Sequence, residues 1–316
     1  MFHRHGALTF RPVTEQRTHP PLVPPKESIS PTIEFNFYNS AESCALSLPQ
    51  FSSQLTFAAM IHPTAIVDEA ASLGKDVRIG PFSIVEGGVT IGDNTELSSH
   101  VVIKSGVVIG ADCKIDSFSV IGGDPNHMSF DIATRSGVLI GNQCVFRESV
   151  TIHRSIYPDT NTLVGNNVFL MAGSHIAHDC DVGDQVIFAN QVAIAGHSTL
   201  GRGVFMGGGA MIHQFTRIGD GAMISGLSRI SKDIAPFLMV GERDHVSGLN
   251  LIGLRRSGVP AESIREIKGL FRTILLKPGN PIQVAANQPT PSSPEARLFL
   301  EFFISSKRGY AKNVVA

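Results

Sequence analysis

The chain has 316 residues, a formal net charge of −1 and only 17% charged residues. It contains no tryptophan, three tyrosines and no basic run, which argues against nucleic-acid binding. Its four cysteines are scattered without a CxxC pair, so a reduced compartment without structural zinc is expected. Because no apolar run approaches about eighteen residues, no transmembrane segment is expected.

Residues 1–59 lie outside any repeat and are rich in proline, serine and threonine. The first part of this segment has one acidic residue and four basic ones, Arg4, Arg11, Arg17 and Lys26. It has no continuous apolar stretch of the kind found in secretory signals. These features predict a cleaved organellar presequence, with the mitochondrion favoured over the plastid. A disordered N-terminal extension is the alternative.

A six-residue repeat begins at Ile61. Every sixth residue is apolar as far as Ile121, and after two interruptions the same phase continues from Val164 to Ile230. An amphipathic helix does not keep a period of six, whereas hexapeptide repeats are typical of a parallel β-helix. We therefore expect a β-helix domain over 60–240, in which three repeats close one triangular coil of about eighteen residues. The interruptions at 124–139 and 154–163 predict loops at coil corners.

Residues 241–316 lose the six-residue period and are expected to form a helical domain. Apolar residues at three-and-four spacing predict a helix from about 259 to 275, and the proline-rich stretch 278–294 is interpreted as a linker. A last helix near 295–306 has an expected apolar face of Leu298, Phe299, Phe302 and Phe303. Such a domain would cap the last coil, which otherwise exposes backbone edges.

Five histidines fall between 153 and 213, and they are the candidates for chemistry. With about eighteen residues per coil, His178, His197 and the pair His213–Gln214 are expected to stack along one edge. One interpretation is a general base at His178, oriented by the neighbouring Asp179. The second is a metal site with imidazole ligands, and the third is a set of solvated turn residues. The spacing alone leaves all three open.

Residues 61–310 closely resemble the bacterial-type UDP-N-acetylglucosamine O-acyltransferases, which perform the first step of lipid A biosynthesis. The hexapeptide pattern alone is shared by many acyltransferases, so the specific motifs carry the resemblance. These lie at 61–67, 147–154, 175–180 (HIAHDC), 195–197 (AGH), 212–215 (IHQF), 250–256 and 302–309. The resemblance implies left-handed β-helices assembled as a homotrimer, with each active site between two neighbours. It also implies acyl carrier protein and UDP-N-acetylglucosamine as substrates, with no cofactor and no metal.

The resemblance also implies roles for individual residues. It makes His178 the general base, Asp179 the residue that orients this base, and Gly196 the backbone N–H donor to the thioester oxyanion. It assigns eight further positions to substrate binding: His153, His175, His197, His213, Gln214, Asn250, Arg256 and Gly226. Within this set, Asn250 and Arg256 match positions near the UDP group. Gly226 matches the floor of the acyl groove, where a missing side chain leaves room for about fourteen carbons.

The chain departs from the family pattern in three places. In the 124–139 loop, His127 and Ser129 stand where the family usually has aspartate and lysine. Ser257 replaces the second arginine of a pair, and the proline-rich stretch shortens the C-terminal domain. Two other functions are therefore considered. One is a zinc hydratase resembling the γ-type carbonic anhydrases, and the other is a catalytically impaired trimeric scaffold.

Overall fold

The computed structural model describes residues 61–305 and 309–311, so the expected presequence at 1–59 lies outside the described residues. The strands are short because each hexapeptide contributes one flat segment and one turn. In chain order they are β1 (Ile66–Val67), β2 (Ser72–Leu73), β3 (Arg78–Ile79), β4 (Ile84–Val85), β5 (Thr90–Ile91), β6 (Glu96–Leu97), β7 (Val102–Ile103), β8 (Val107–Ile109), β9 (Lys114–Ile115), β10 (Val120–Gly123), β11 (Gly137–Ile140), β12 (Val145–Phe146), β13 (Thr151–His153), β14 (Asn161–Val164), β15 (Phe169–Leu170), β16 (His175–Ile176), β17 (Asp181–Val182), β18 (Ile187–Phe188), β19 (Ala193–Ile194), β20 (Thr199–Leu200), β21 (Phe205–Met206), β22 (Met211–Ile212), β23 (Arg217–Ile218), β24 (Met223–Ile224), β25 (Arg229–Ile230), β26 (Leu238–Gly241) and β27 (His245–Leu249).

The strands assemble into three sheets that form the faces of a triangular prism, and the fold is a left-handed parallel β-helix, as expected. Sheet S1 runs from β1 to β25, sheet S2 from β2 to β23, and sheet S3 from β3 to β26, each taking every third strand. Neighbouring strands pair in parallel, and in uninterrupted coils partners are eighteen residues apart, as in Asp181 with Thr199. The final strand, β27, adds to S3 in the antiparallel direction.

The repeat residues form the core, as the six-residue phase predicts. Every one of them from Ile79 to Ile230 is at most 4% exposed. Each stacks on the repeat residue of the coils before and after it, because the register is conserved from strand to strand. Burial of one such side chain contributes about 1.5–3 kcal/mol. At the first described coil Ile61 is 41% exposed, since no described coil lies above it.

Both interruptions form loops at the corner between S1 and S2. The first loop spans residues 124–136 rather than 124–139, because Gly137–Ile140 form β11 and pair with β8 and β14. The second loop spans residues 154–160, between β13 and β14. Two consecutive coils therefore carry extra chain at the same corner.

Four helices follow the β-helix: α1 (Leu251–Arg256), α2 (Ala261–Leu275), α3 (Pro281–Ala286) and α4 (Pro294–Ile304). The interpretation of 278–294 as a linker is wrong where α3 forms. Asn280 caps this helix by accepting a hydrogen bond from the Ile282 N–H, and Pro281 suits the first helical position. The rest of the segment is tied to α2, because the Glu266 carboxylate accepts hydrogen bonds from Ser292 and Ser293.

Helix α4 packs against the last coil of the β-helix, as a cap should. Phe299 and Phe303 are fully buried, whereas Leu298 is 38% exposed, so its predicted place on the apolar face is wrong. The Arg217 side chain bonds to Asp233 and Ser305 and lies over the Phe302 ring, which ties the helix to the coil. Among the described helices, none is long and apolar enough to cross a membrane.

Candidate active site

The turns that join S1 to S2 gather most of the candidate residues, and this edge is called the histidine corner. It consists of residues 124–136, 154–160, 177–180, 195–198 and 213–216. Each of the last three turns holds a non-glycine residue at positive φ, namely Asp179, His197 and Phe215. This left-handed backbone conformation is uncommon for residues other than glycine, and it recurs here at the same place in three successive coils.

His178, His197 and His213–Gln214 lie along one edge, as predicted, but His178 and His197 are offset by one column. The two are nineteen positions apart while a coil here takes eighteen, so His178 lies in one column with Gly196 and Gln214. His197 lies in the adjacent column, with Asp179 and Phe215. The His197 N–H donates to the His178 carbonyl, which fixes this offset. The two imidazoles nevertheless meet edge to face, with ring centroids 5.1 Å apart.

His178 and Asp179 form a hydrogen-bonded dyad. The Nδ1 atom of His178 lies 2.7 Å from Oδ2 of Asp179, and the two side chains are 12% and 10% exposed. A carboxylate in this position holds the proton on Nδ1 and leaves the Nε2 lone pair free to accept one. The predicted pairing of these neighbours is therefore present in the geometry.

Asp179 is itself held in place by the 154–160 loop. The Ser155 hydroxyl donates to Oδ1, and the Ile156 N–H donates to Oδ2 at 3.3 Å. The Asp179 N–H donates to the Thr162 hydroxyl at 2.8 Å. Ser155 was not identified from the sequence, because the inserted loop breaks the eighteen-residue count that relates neighbouring coils.

Gly196 lies directly beneath the His178 ring. A Cβ atom at this position would come within 2.5 Å of Cε1 and 2.8 Å of Nε2 of His178, so only glycine fits. The Gly196 N–H forms no hydrogen bond with any other described residue. Nε2 of His178 and the backbone of Gly196 are thus neighbours in a largely buried part of the corner.

Aromatic side chains fix the orientation of His197. Its ring stacks on Phe215 with centroids 4.4 Å apart and planes 2° from parallel, and Tyr157 approaches to 5.9 Å. Burial lowers the pKa of His197. One ligand-type atom from each of His178, Asp179 and His197 can be chosen so that all lie within 4.8 Å of one another.

His153 and His175 lie beside the dyad on S1. Their rings meet edge to face at 4.7 Å, and the Nδ1 atom of His175 lies 2.7 Å from the Thr151 hydroxyl. Burial lowers the pKa of His153 to about 4 and also lowers that of His175. His153 Nδ1 is buried without a hydrogen-bond partner among the described residues. Both imidazoles are therefore neutral at pH 7.

Arg154 holds the 124–136 loop against the histidine corner. The guanidinium bonds to Asp124 and to the carbonyls of Thr134 and Ile132, and it lies 4.8 Å from the Phe130 ring centroid. This arrangement brings the His127 ring within 6.3 Å of the His178 ring. His127, one of the two residues in this loop that depart from the family pattern, therefore faces the dyad of His178 and Asp179.

Three predicted substrate-binding residues lie elsewhere in the chain. Gly226 is in the turn between β24 and β25, which belongs to the corner joining S3 to S1. Asn250 caps α1, where its side chain accepts from the Gly253 N–H and donates to the Gly221 carbonyl. Arg256 is exposed at the end of the same helix. His213 and Gln214, by contrast, lie on the histidine corner.

Comparisons with known proteins agree with this geometry. A family model described as UDP N-acetylglucosamine O-acyltransferase, domain 2, matches residues 233–311, and one described as bacterial transferase hexapeptide (six repeats) matches 70–105 and 161–196. The chain is 42% identical over 259 residues to the acyl-[acyl-carrier-protein]–UDP-N-acetylglucosamine O-acyltransferase of Janthinobacterium sp. (strain Marseille), covering 79% of this chain and 98% of the relative.

Solved structures of similar proteins cover the same region. LpxA from Acinetobacter baumannii matches with a TM-score of 0.77 and 36% identity, over 80% of this chain and 100% of that chain. The Arabidopsis UDP-N-acetylglucosamine acyltransferase matches with a TM-score of 0.67 and 30% identity, also over 80% of this chain and 100% of that one. The similarity therefore extends through both the β-helix and the C-terminal helices.

Proposed function

Because this chain belongs to the UDP-N-acetylglucosamine O-acyltransferase family, we propose that it transfers a 3-hydroxyacyl chain from acyl carrier protein to UDP-N-acetylglucosamine. The acceptor is the 3-hydroxyl of the glucosamine, and the reaction is the first step of lipid A biosynthesis. The observation that carries the proposal is the position of His178 Nε2 next to the backbone of Gly196, with Nδ1 bonded to Asp179.

His178 acts as the general base. Its Nε2 takes the proton of the 3-hydroxyl as the hydroxyl oxygen attacks the thioester carbonyl carbon. Asp179 stabilises the resulting imidazolium through Nδ1–H, and Ser155 keeps the carboxylate in place. When the tetrahedral intermediate collapses, the C–S bond breaks and the imidazolium returns its proton to the departing thiolate. The ester and the free thiol of the carrier protein are the products.

Gly196 supplies the donor for the negative charge that develops on the carbonyl oxygen. Its N–H is not used by other described residues, and it lies beside the nitrogen that takes the proton. A preorganised backbone donor of this kind is worth about 2.7–4 kcal/mol of transition-state stabilisation. The base His178 and the oxyanion donor Gly196 therefore occupy equivalent positions in two successive coils.

The homotrimer is the assembly that completes the site. Gly226, Asn250 and Arg256 lie away from the histidine corner of their own chain, and in the proposed trimer a neighbouring copy supplies them. The outer face of S1 carries exposed apolar side chains along its length, with Ile66 65% and Met211 57% exposed. We expect three times the chain mass by light scattering at micromolar concentration, and a monomer would contradict this assembly.

The acyl groove is proposed to take a chain of about fourteen carbons, because Gly226 leaves its floor open. A Cβ at Gly226 would lie 3.2 Å from the Gly208 carbonyl, so any side chain would fill this space. The length is measured as the relative kcat/KM for 3-hydroxyacyl carrier proteins of different chain length. A maximum at ten carbons or fewer would contradict this part of the proposal.

The test of the function is an acyl-transfer assay with UDP-N-acetylglucosamine, run on the full chain and on His178→Ala. We expect turnover in the parent and a loss of about 10²–10⁴ in kcat for the variant, the usual contribution of a positioned base. Asp112→Ala, at an exposed turn of another corner, is the matched control and should keep full activity. Full activity in His178→Ala would show that another residue is the base.

A catalytically impaired scaffold is the competing outcome of the same assay. His127 near the dyad and Ser129 in the same loop are the substitutions that would account for it. Binding of UDP-N-acetylglucosamine to a folded trimer without any turnover would favour this alternative over the enzyme.

Mitochondrial targeting is proposed from the basic N-terminal segment, with the plastid as the alternative. A fluorescent protein fused after residue 59 should enter mitochondria in a eukaryotic cell. Deletion of residues 1–59 should abolish that import, and a diffuse signal from the intact fusion would contradict the proposal.

A further inference from the structure

Two imidazoles face the same carboxylate oxygen at the histidine corner. Oδ2 of Asp179 lies 2.7 Å from Nδ1 of His178 and 3.9 Å from Nδ1 of His197. A zinc ion with bonds of about 2.0–2.2 Å brings its ligand atoms to roughly 3–3.5 Å from one another. One ligand atom from each of the three side chains already lies within 4.8 Å of the others, so shifts of about 1 Å would bring them to that spacing.

We propose that His178, Asp179 and His197 bind one Zn²⁺ ion per chain and that this ion reversibly blocks acyl transfer. The existence of the site rests on the geometry alone, whereas the inhibition rests on the function proposed above. The ligand set is two imidazoles and one carboxylate, which suits zinc, cobalt or nickel. Magnesium and calcium prefer all-oxygen ligands and are not expected to bind.

The three ligands are already held in place by neighbouring groups. The Ser155 hydroxyl bonds to Oδ1 of Asp179, which turns Oδ2 toward the two imidazoles. Phe215 stacks on His197 and fixes the plane of its ring. The three side chains are only 10–17% exposed, so a bound ion would be partly shielded from water. Such outer contacts orient metal ligands and increase affinity.

The inhibition follows from the chemistry of the imidazole. Zinc takes the Nδ1 lone pair of His178, so the neutral ring must carry its one proton on Nε2. In the metal-free dyad the proton is on Nδ1 and the Nε2 lone pair accepts the proton of the substrate hydroxyl. The zinc-bound ring therefore has no lone pair for the substrate, and removal of the ion restores the base.

The experiment is a Co²⁺ titration of chelator-treated full-length protein, followed by visible d–d absorption and by displacement with Zn²⁺. We expect one Co²⁺ per chain, displaced by one Zn²⁺. Loss of an outer-shell partner typically costs about 10- to 100-fold in metal affinity. Loss of a ligand in His197→Gln or Asp179→Asn should therefore weaken binding at least that much. His100→Gln, an exposed histidine on another corner, is the matched control and should bind like the parent.

Several results would overturn the site. These are unsaturable binding, equal affinity in all variants, or an intense near-ultraviolet thiolate band that assigns the ion to the cysteines. Circular dichroism shows whether each variant is folded. Because two ligand residues are substituted independently, the site can still be tested if one of the two variants does not fold.

Zinc added to the acyl-transfer assay should lower kcat. Half of the loss should occur at the zinc concentration that displaces half of the bound Co²⁺, and a chelator should restore kcat. Binding of one zinc ion per chain with unchanged kcat would overturn the proposal that zinc inhibits acyl transfer. If the parent shows no turnover, the proposed function fails while the Co²⁺ titration still decides on the site.

Discussion

Two corners of the same prism use polar turn residues in opposite ways. At the corner between S2 and S3, called the Asn/Asp corner, side-chain oxygens accept backbone N–H groups of the preceding coil. Asn142 accepts from Ala111, Asn166 from Asn142, and Asp184 from Asn166, at 2.7–2.8 Å. At the histidine corner, His178 and Asp179 bond to each other through Nδ1 and Oδ2, and Nε2 of His178 lies beside Gly196.

The difference separates structural from functional polar residues within one repeat. At the Asn/Asp corner these three bonds each satisfy a backbone donor of the neighbouring coil, so the side chains stabilise the stack of coils. At the histidine corner the bonds between side chains orient one ring, and the inserted 154–160 loop supplies the contacts that hold Asp179. Substitutions at the first corner should therefore affect stability, and substitutions at the second should affect turnover.

Gly196→Ala should break the geometry of the histidine corner most severely among substitutions outside the dyad. The added Cβ would lie 2.5 Å from Cε1 of His178 and would displace the ring. A displacement of about 1 Å from the reactive geometry can cost about 10² in kcat, and this is the loss we expect. The measurement is kcat for the variant and for Gly269→Ala, an exposed helix position with free space, which should match the parent. Parental kcat in Gly196→Ala would contradict the placement of the base.

Ser155→Ala should have a smaller effect, because it removes only one contact to the Asp179 carboxylate. We expect kcat to fall about tenfold with little change in KM, since the dyad stays present but less well oriented. The pH dependence of kcat should shift as well, which a purely structural role would not cause. Ser155→Thr keeps the hydroxyl and should recover most of the activity. Equal losses in both variants would contradict the positioning role.

His153, on S1 beside the histidine corner, and Asp184, at the Asn/Asp corner, should contribute to stability in different pH ranges. His153 has a pKa of about 4 in the folded protein because of burial, against about 6.5 in the unfolded chain. Between pH 6.5 and 4 the unfolded chain binds a proton that the folded protein does not, so the free energy of unfolding falls as pH decreases. Hydrogen bonds from Asn166 lower the pKa of Asp184, so its contribution is lost only below about pH 3.8.

His153→Asn should flatten the stability profile between pH 6.5 and 4, by on the order of 1 kcal/mol after solvent screening. The expected effect is modest because part of the ring remains accessible. Urea unfolding at half-unit pH intervals measures it, with Asp184→Asn as the comparison variant. A profile with the same slope as the parent in this range would contradict the assignment of His153 as a buried neutral imidazole.

Most of the fold follows from the six-residue period. The repeat residues of the described coils point inward as predicted, because any other phase would expose a whole column of apolar side chains. The helix α3 was missed because the proline-rich composition of 278–294 was interpreted as a linker, although proline is favourable at the first helical position after an Asn cap. Likewise, Leu298 satisfies the helical spacing but lies at the edge of the buried face of α4.

The site was predicted where coils are regular and missed where they are not. His178, Asp179 and Gly196 were assigned from the family resemblance, and the structure brings them together. His178 and His197 share the predicted edge, but their spacing of nineteen places them in adjacent columns. Ser155 is twenty-four residues before Asp179, a separation set by the inserted loop, so coil spacing could not relate the two. Phe215, however, is eighteen residues after His197 and could have been found by counting.

The most direct test of the difference between the two corners measures kcat and the free energy of unfolding together on His178→Ala and Asn166→Ala. We expect His178→Ala to lose about 10²–10⁴ in kcat with nearly parental stability. Asn166→Ala should keep parental kcat and lose about 1–3 kcal/mol of stability, because the Asn142 N–H loses its acceptor. Parallel losses of both quantities in both variants would show that the corners are not functionally distinct and would contradict this account.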